Sequence, residues 1–79
     1  METEAVAELI RTGLPGAEVQ VTGDGEHFEA IVVSEAFEGL SLLKRERLIM
    51  ETVREQVAGG ELHALSIKAR TPAQQAAQR

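Results

Sequence analysis

Two hydrophobic periods run along the chain. Glu18 to Thr22, EVQVT, alternates apolar with polar, which predicts a β-strand with Val19 and Val21 facing inward. Residues 27–34, HFEAIVVS, predict a second strand antiparallel to it. Phe28, Ala30 and Val32 form one row and Glu29, Ile31 and Val33 the other, so its far part is apolar on both faces. The GDG at 23–25 between them is a turn, because glycine tolerates positive φ. LHALSIKA, 62–69, predicts a third strand with Leu65 and Ile67 inward and Ala64, Ser66 and Lys68 outward. The other period is near 3.6. Glu4 to Arg11 predicts a short helix with Thr3 as N-cap and Ala5, Leu9 and Ile10 on one side; Gly13 and Pro15 end it. Ser41 is the expected N-cap of a longer helix reaching about Val57. Leu42, Ile49, Val53 and Val57 line its apolar face, flanked by Leu43 and Met50, and Gly59 and Gly60 stop it. Phe37 is expected to plug the core, and Gly39 permits the bend after it. TPAQ, 71–74, is a helix start, with Thr71 as N-cap, Pro72 in the first turn and Gln74 three residues after the cap. The tail over 75–79 has no apolar stripe and is expected to fray.

The expected order is therefore α-β-β-α-β, a two-layer α+β domain whose three-stranded mixed sheet carries helices on one face. No internal repeat or linker divides residues 1–79, which read as one domain with a core over about 3–74.

Composition narrows the function. Seventy-nine residues give a thin core, and with no cysteine no disulfide can reinforce it. The longest apolar run is Ala30 to Val33, far too short to span a membrane. The acidic start, METEAVAELI, lacks the basic region of a signal peptide, so a cytoplasmic location is expected. The net charge of −5 is unevenly spread: residues 1–37 hold one base against eight acids, −7, and residues 38–79 hold seven bases against five acids, +2. Overall acidity disfavours nonspecific binding to nucleic acid, while a basic face in the second half stays available.

The chain has two histidines, His27 and His63, each expected at the start of a strand. If strands two and three run parallel, both lie at one end of the sheet, with the GDG turn beside them. An iron–sulfur centre accepts imidazole as well as thiolate. The plainer reading is two polar strand-end residues meeting solvent. Asp24 is a third candidate in the turn, though a carboxylate suits such a centre poorly. Lys44, Arg45 and Arg47 fall near the start of the long helix, where cations oppose the helix dipole by roughly 0.3–1 kcal/mol each at exposed sites. Either neighbouring acids absorb these charges or a partner such as nucleic acid uses them. Lys68 and Arg70 alternate on the outer face of strand three. With the Thr71–Pro72 exit they form a docking strip for an acidic or glutathione-bearing surface, unless they are simply a solvated row. No catalytic set is visible. There is no thiol or tyrosine, Ser34, Ser41 and Ser66 have no histidine–carboxylate pairing, and no glycine-rich phosphate loop precedes a helix.

Three stretches together, GDGEHF (23–28), VVSEAFEGLSLLKRERL (32–48) and LHALSIKARTPAQ (62–74), resemble the BolA family. The similarity covers about 19–74 and rests on an F-x-G-x-x-x-x-x-R-x-R pattern (Phe37, Gly39, Arg45, Arg47) followed at family spacing by HALSIKARTP (63–72). The resemblance implies a fold like a type II KH domain and no enzymatic activity. It also implies pairing with a monothiol glutaredoxin, with which a 2Fe-2S cluster is held jointly with glutathione, His63 being the ligand and His27 a second, loop-borne one. Without its partner such a chain is expected to be a monomer or weak homodimer. Some members are DNA-binding transcription regulators or stress-response proteins, and that is the alternative reading. Here Glu46 stands where many members carry histidine between the two arginines, which places an acid in the helix that would meet nucleic acid. A third class, an interaction module without metal, is also consistent with the residues.

Overall fold

Residues 1–78 are described by the structure, a computed structural model; Arg79, the last residue of the tail expected to fray, lies outside them. The helices are α1 (Thr3–Gly13), α2 (Leu42–Thr52), α3 (Arg54–Ala58) and α4 (Pro72–Ala77), and the strands β1 (Glu18–Gly23), β2 (His27–Val33) and β3 (Ala64–Arg70). A 3-10 turn covers Glu35–Phe37. The period-two segments pair in the order β1-β2-β3. β1 runs antiparallel to β2, with Val19 opposite Val32 and Val21 opposite Ala30. β3 runs parallel to β2, with Phe28 opposite Leu65 and Val32 opposite Ala69. The sheet is thus mixed and the domain α+β, as the pattern predicts.

This register stacks Val19, Phe28, Ala30, Val32 and Ala69 on one face, where they meet Val6, Ala7 and Ile10 of α1 and Ile49 of α2 in a single cluster. Phe37 is fully buried beneath the turn that Gly39 makes at a φ of 77°. Each fully buried large apolar side chain contributes roughly 1.5–3 kcal/mol. α1 and α2 approach closely: a Cβ at Gly13 would collide with the Thr52 side chain.

Four details of the helices and strands differ from the pattern reading. α1 starts at Thr3, after an N-cap residue, Glu2, that makes no side-chain bond. Its buried side is Val6, Ala7 and Ile10, and Ala5 is exposed. The stripe in α1 has several apolar registers, and only the sheet selects one. The long helix is broken: α2 ends at Thr52, Val53 (φ −119°, ψ 15°) leaves helical geometry, and α3 begins at Arg54. Thr52 Oγ1 donates to the Ile49 carbonyl at 2.6 Å, competing with the helix at the break. Leu42 and Val57, both assigned to the apolar face, are 67% and 40% exposed. The position one turn after Leu42 is taken by Arg45, buried at 6%. Finally, β3 starts at Ala64, so His63 precedes the strand, and Leu62 is a core residue.

Candidate functional site

The tight turn before β2 is built by Asp24. Its Oδ1 accepts the backbone N–H groups of His27 at 2.9 Å and Glu26 at 3.0 Å, and Gly25 takes the positive φ of 99° that the turn requires. These bonds, His27's first, stabilise the ionised form and hold the Asp24 carboxyl below its usual value. His27 is fixed at the lip of the turn through its own backbone, while its ring is largely in solvent, with Nδ1 4.0 Å from Asp24 Oδ2.

The parallel register sets Ala64 opposite His27. His63 is the next residue back, so both histidines reach the same end of the sheet. Alternation gives the face shared with His27 to Ala64; His63 lies one position before the strand, at the same end of the sheet. His63 is exposed and held on both sides. Leu62 is buried in the core at 2% exposure and its N–H donates to the Gln56 carbonyl at 3.1 Å, while β3 follows directly. Among the described residues no three His, Cys, Asp or Glu side chains cluster closely enough to hold a metal ion. With no thiol in the chain, these imidazoles can add a ligand to a group that another molecule already holds, and cannot hold an iron–sulfur centre by themselves.

At the far end of β3 the basic residues divide. Lys68 is exposed and lies 4.0 Å from Glu29 on the neighbouring strand. Arg70 Nη1 donates to Gln75 Oε1 at 3.0 Å. Thr71 is buried, because it caps α4. Its Oγ1 accepts the Gln74 N–H and its own N–H donates to Gln74 Oε1, the reciprocal capping box expected from the sequence. Pro72 stands exposed at the first position of α4.

Ser41 caps α2 by accepting the Lys44 N–H at 3.2 Å. Lys44 and Arg47 are exposed, but Arg45, grouped with them as a cation for nucleic acid, is not on the surface. Its Nε donates to the Leu40 carbonyl at 3.0 Å, and Nη1 donates to the Ala69 carbonyl at 3.2 Å and to Gln74 Oε1 at 2.7 Å. Gln74 Oε1 therefore serves both Arg45 and the Thr71 backbone. One guanidinium fork ties α2 to the end of β3 and the start of α4. Sequence reasoning missed this role. The signal was present as an absence: no apolar residue fills the position between Leu42 and Ile49 on the inward side of α2. A cleft of ≈ 390 Å³ lies beside this joint, bounded by α2, the edge of β3 and α4.

No helix among the described residues is long and apolar enough to cross a membrane. A family model described as BolA-like protein matches residues 11–74. Acid stress protein IbaG of Escherichia coli K12 is 39% identical over 79 residues, covering 100% of this chain and 94% of that protein. BolA-like protein 1 of Mus musculus is 48% identical over 59 residues, covering 75% of this chain and 42% of that longer protein. The solved structure of a bolA protein homologue from Coxiella burnetii superposes with a TM-score of 0.83 at 36% identity, covering 100% of this chain and 99% of that one.

Proposed function

The chain belongs to the BolA family, and on that premise we propose that it is a non-enzymatic adaptor which docks a monothiol glutaredoxin and completes a glutathione-bearing 2Fe-2S cluster. The observation that best supports the reading is the parallel β2–β3 register, which brings the two histidines of a thiol-free chain to one end of the sheet. In this reading the cluster is cargo carried mainly by the partner. His63, braced by buried Leu62 and by β3, supplies the fixed ligand. His27, on a turn that Asp24 closes, supplies the adjustable one. Lys68 and Arg70, with the capped Thr71–Pro72 exit, form the docking strip for the partner and its acidic glutathione. A place in iron–sulfur trafficking or iron and redox regulation, and in the stress response that the name of the E. coli relative records, belongs to the same proposal.

Co-expression with a monothiol glutaredoxin tests it. A coloured complex is expected, with a visible circular-dichroism spectrum different from that of the glutaredoxin alone. His63→Ala should abolish that difference while leaving colourless docking through Lys68 and Arg70. His27→Ala should change cluster lability more than the affinity between the proteins. An unchanged spectrum and transfer rate in His63→Ala would return His63 to a solvent-facing residue before a strand.

A further inference from the structure

We propose that the free edge of β3 and the cleft beside it form a docking groove for an extended, carboxylate-bearing segment of a partner protein, which adds to the sheet as a fourth strand. The inference deepens the docking reading above and does not depend on any metal.

β3 is an edge strand, paired with β2 alone. The Ser34 N–H donates to the Arg70 carbonyl at 3.0 Å, so the backbone of Arg70 points toward β2. Alternation then turns the N–H and C=O groups of Ala69, Ile67 and Leu65 outward. The Ala69 carbonyl does point outward, since Arg45 takes it from that side. The outward groups of Ile67 and Leu65 have no strand beside them. Neither proline nor a bulge interrupts this seven-residue edge, and a charged side chain, Lys68, is its main guard against indiscriminate pairing.

Charge sets the chemistry of the occupant. The cleft along this edge is lined by Leu42, Arg45, Glu46, Ile67, Lys68 and Arg70 among others, three cations against one carboxylate. Arg45 is 6% exposed and its three bonds all go to neutral acceptors through Nε and Nη1. Nη2 has no hydrogen-bond partner among the described residues. Every sealed polar side-chain atom among the described residues has a partner, so Nη2 is not fully sealed, and Arg45 lines the cleft. A largely buried guanidinium with one nitrogen unpaired beside a cleft favours a carboxylate there. Exposed Leu42 provides an apolar wall on the same side. A peptide strand also offers both donors and acceptors to the alternating groups of Ile67 and Leu65, as β-strand addition requires. A nucleic-acid backbone offers phosphate acceptors alone, and Glu46 opposes it.

The test is an amide NMR titration of the metal-free protein with an acetylated heptapeptide alternating valine and glutamate. The Leu65 and Ile67 amides should shift and exchange more slowly with solvent, while the Ser66 and Lys68 amides, already in the β2 ladder, keep their protection. The matching valine–lysine peptide should leave them unmoved. Lys68→Glu, at an exposed position, should weaken binding roughly threefold to tenfold. Ile67→Pro removes an outward N–H and no ladder bond, so it should abolish binding with helical circular dichroism retained. Were Ile67→Pro to unfold, Lys68→Glu would still decide the charge dependence. No shift at Leu65 and Ile67 at about 1 mM peptide, a limit near −4 kcal/mol, would overturn the proposal. Equal binding of the lysine peptide would do the same, and so would protection of these amides by oligothymidylate in place of the peptide. Because neither glutaredoxin nor iron is present, failure here leaves the histidine-ligand reading standing, and loss of the cluster signal in His63→Ala leaves the groove standing.

Discussion

Asp24 shows how much of the site one carboxylate holds. Its folded-state pKa is depressed by the N–H groups of His27 and Glu26. A group depressed in this way contributes stability that is fully present above its unfolded value, near 3.8, and lost as pH falls through the lower folded value. Acidification below about pH 4 should therefore loosen the turn before β2 and raise the solvent exchange of the Glu26 and His27 amides. Asp24→Asn keeps an acceptor but removes the charge, so its turn amides should show no such dependence over that range; an acid response as large as that of wild type would count against the assignment. Arg45 makes the complementary point. Its charge suggests a surface contact, yet it is buried and spends three hydrogen bonds holding the β3–α4 corner. That corner presents Arg70 and Pro72, so Arg45 positions part of the proposed docking strip as well as lining the cleft beside it.

Among the elements, α2 carries the least redundancy. Ile49 and the residue at its end, Val53, are both fully buried, whereas Leu42, Leu43 and Leu48 are exposed. Few apolar side chains therefore fix this helix to the sheet. Val53→Asp would place an unpaired carboxylate in the core at the α2–α3 break, a cost of several kcal/mol against a total of about 5–10 for a domain of this size. The variant should be unfolded at room temperature, and a thermal melt like that of wild type would show that Val53 does not anchor the helix. α4 depends on local chemistry instead. Its six residues bury no side chain fully, and the Thr71–Gln74 capping box holds its start. Thr71→Ala should cost about 1 kcal/mol and lower the melting temperature by several degrees without changing the fold.

The whole molecule is acidic at −5, with its bases gathered in the second half of the chain. Of the three cations near the start of α2, Lys44 and Arg47 remain exposed, with exposed Glu46 between them in the chain. Affinity for duplex DNA follows the number of phosphates neutralised and falls with salt. With two exposed cations in that helix, binding should be weak and largely gone at physiological ionic strength. Fluorescence anisotropy with duplex DNA measures this directly, and a sub-micromolar, sequence-specific complex at about 0.15 M salt would favour the regulator reading over the adaptor.

Much of this was legible in the chain itself, because the information was local. Alternation in EVQVT and HFEAIVV, glycine at the turn between them, the Ser41 cap and the Thr71–Pro72–Gln74 helix start depend on neighbours within a few residues, and all stand where the pattern places them. Both histidines could also be found by inspection of so short a sequence. Tertiary structure decided what depends on distant partners. The face of α1 that is buried was chosen by the sheet, since Ala5, Val6, Ala7, Leu9 and Ile10 allow more than one apolar side. The turn after α3, where Gly60 takes a φ of 80° and the Leu62 N–H donates to the Gln56 carbonyl, brings Leu62 into the core, a contact that no helical period encodes. The parallel pairing of β2 with β3, which brings His27 and His63 to one end, follows from the crossover through α2 and α3. The burial of Arg45 was hidden for the same physical reason: a guanidinium can leave water only where carbonyls from Leu40 and Ala69 and the amide of Gln74 converge, and segments up to 29 residues apart meet there only once the chain has folded.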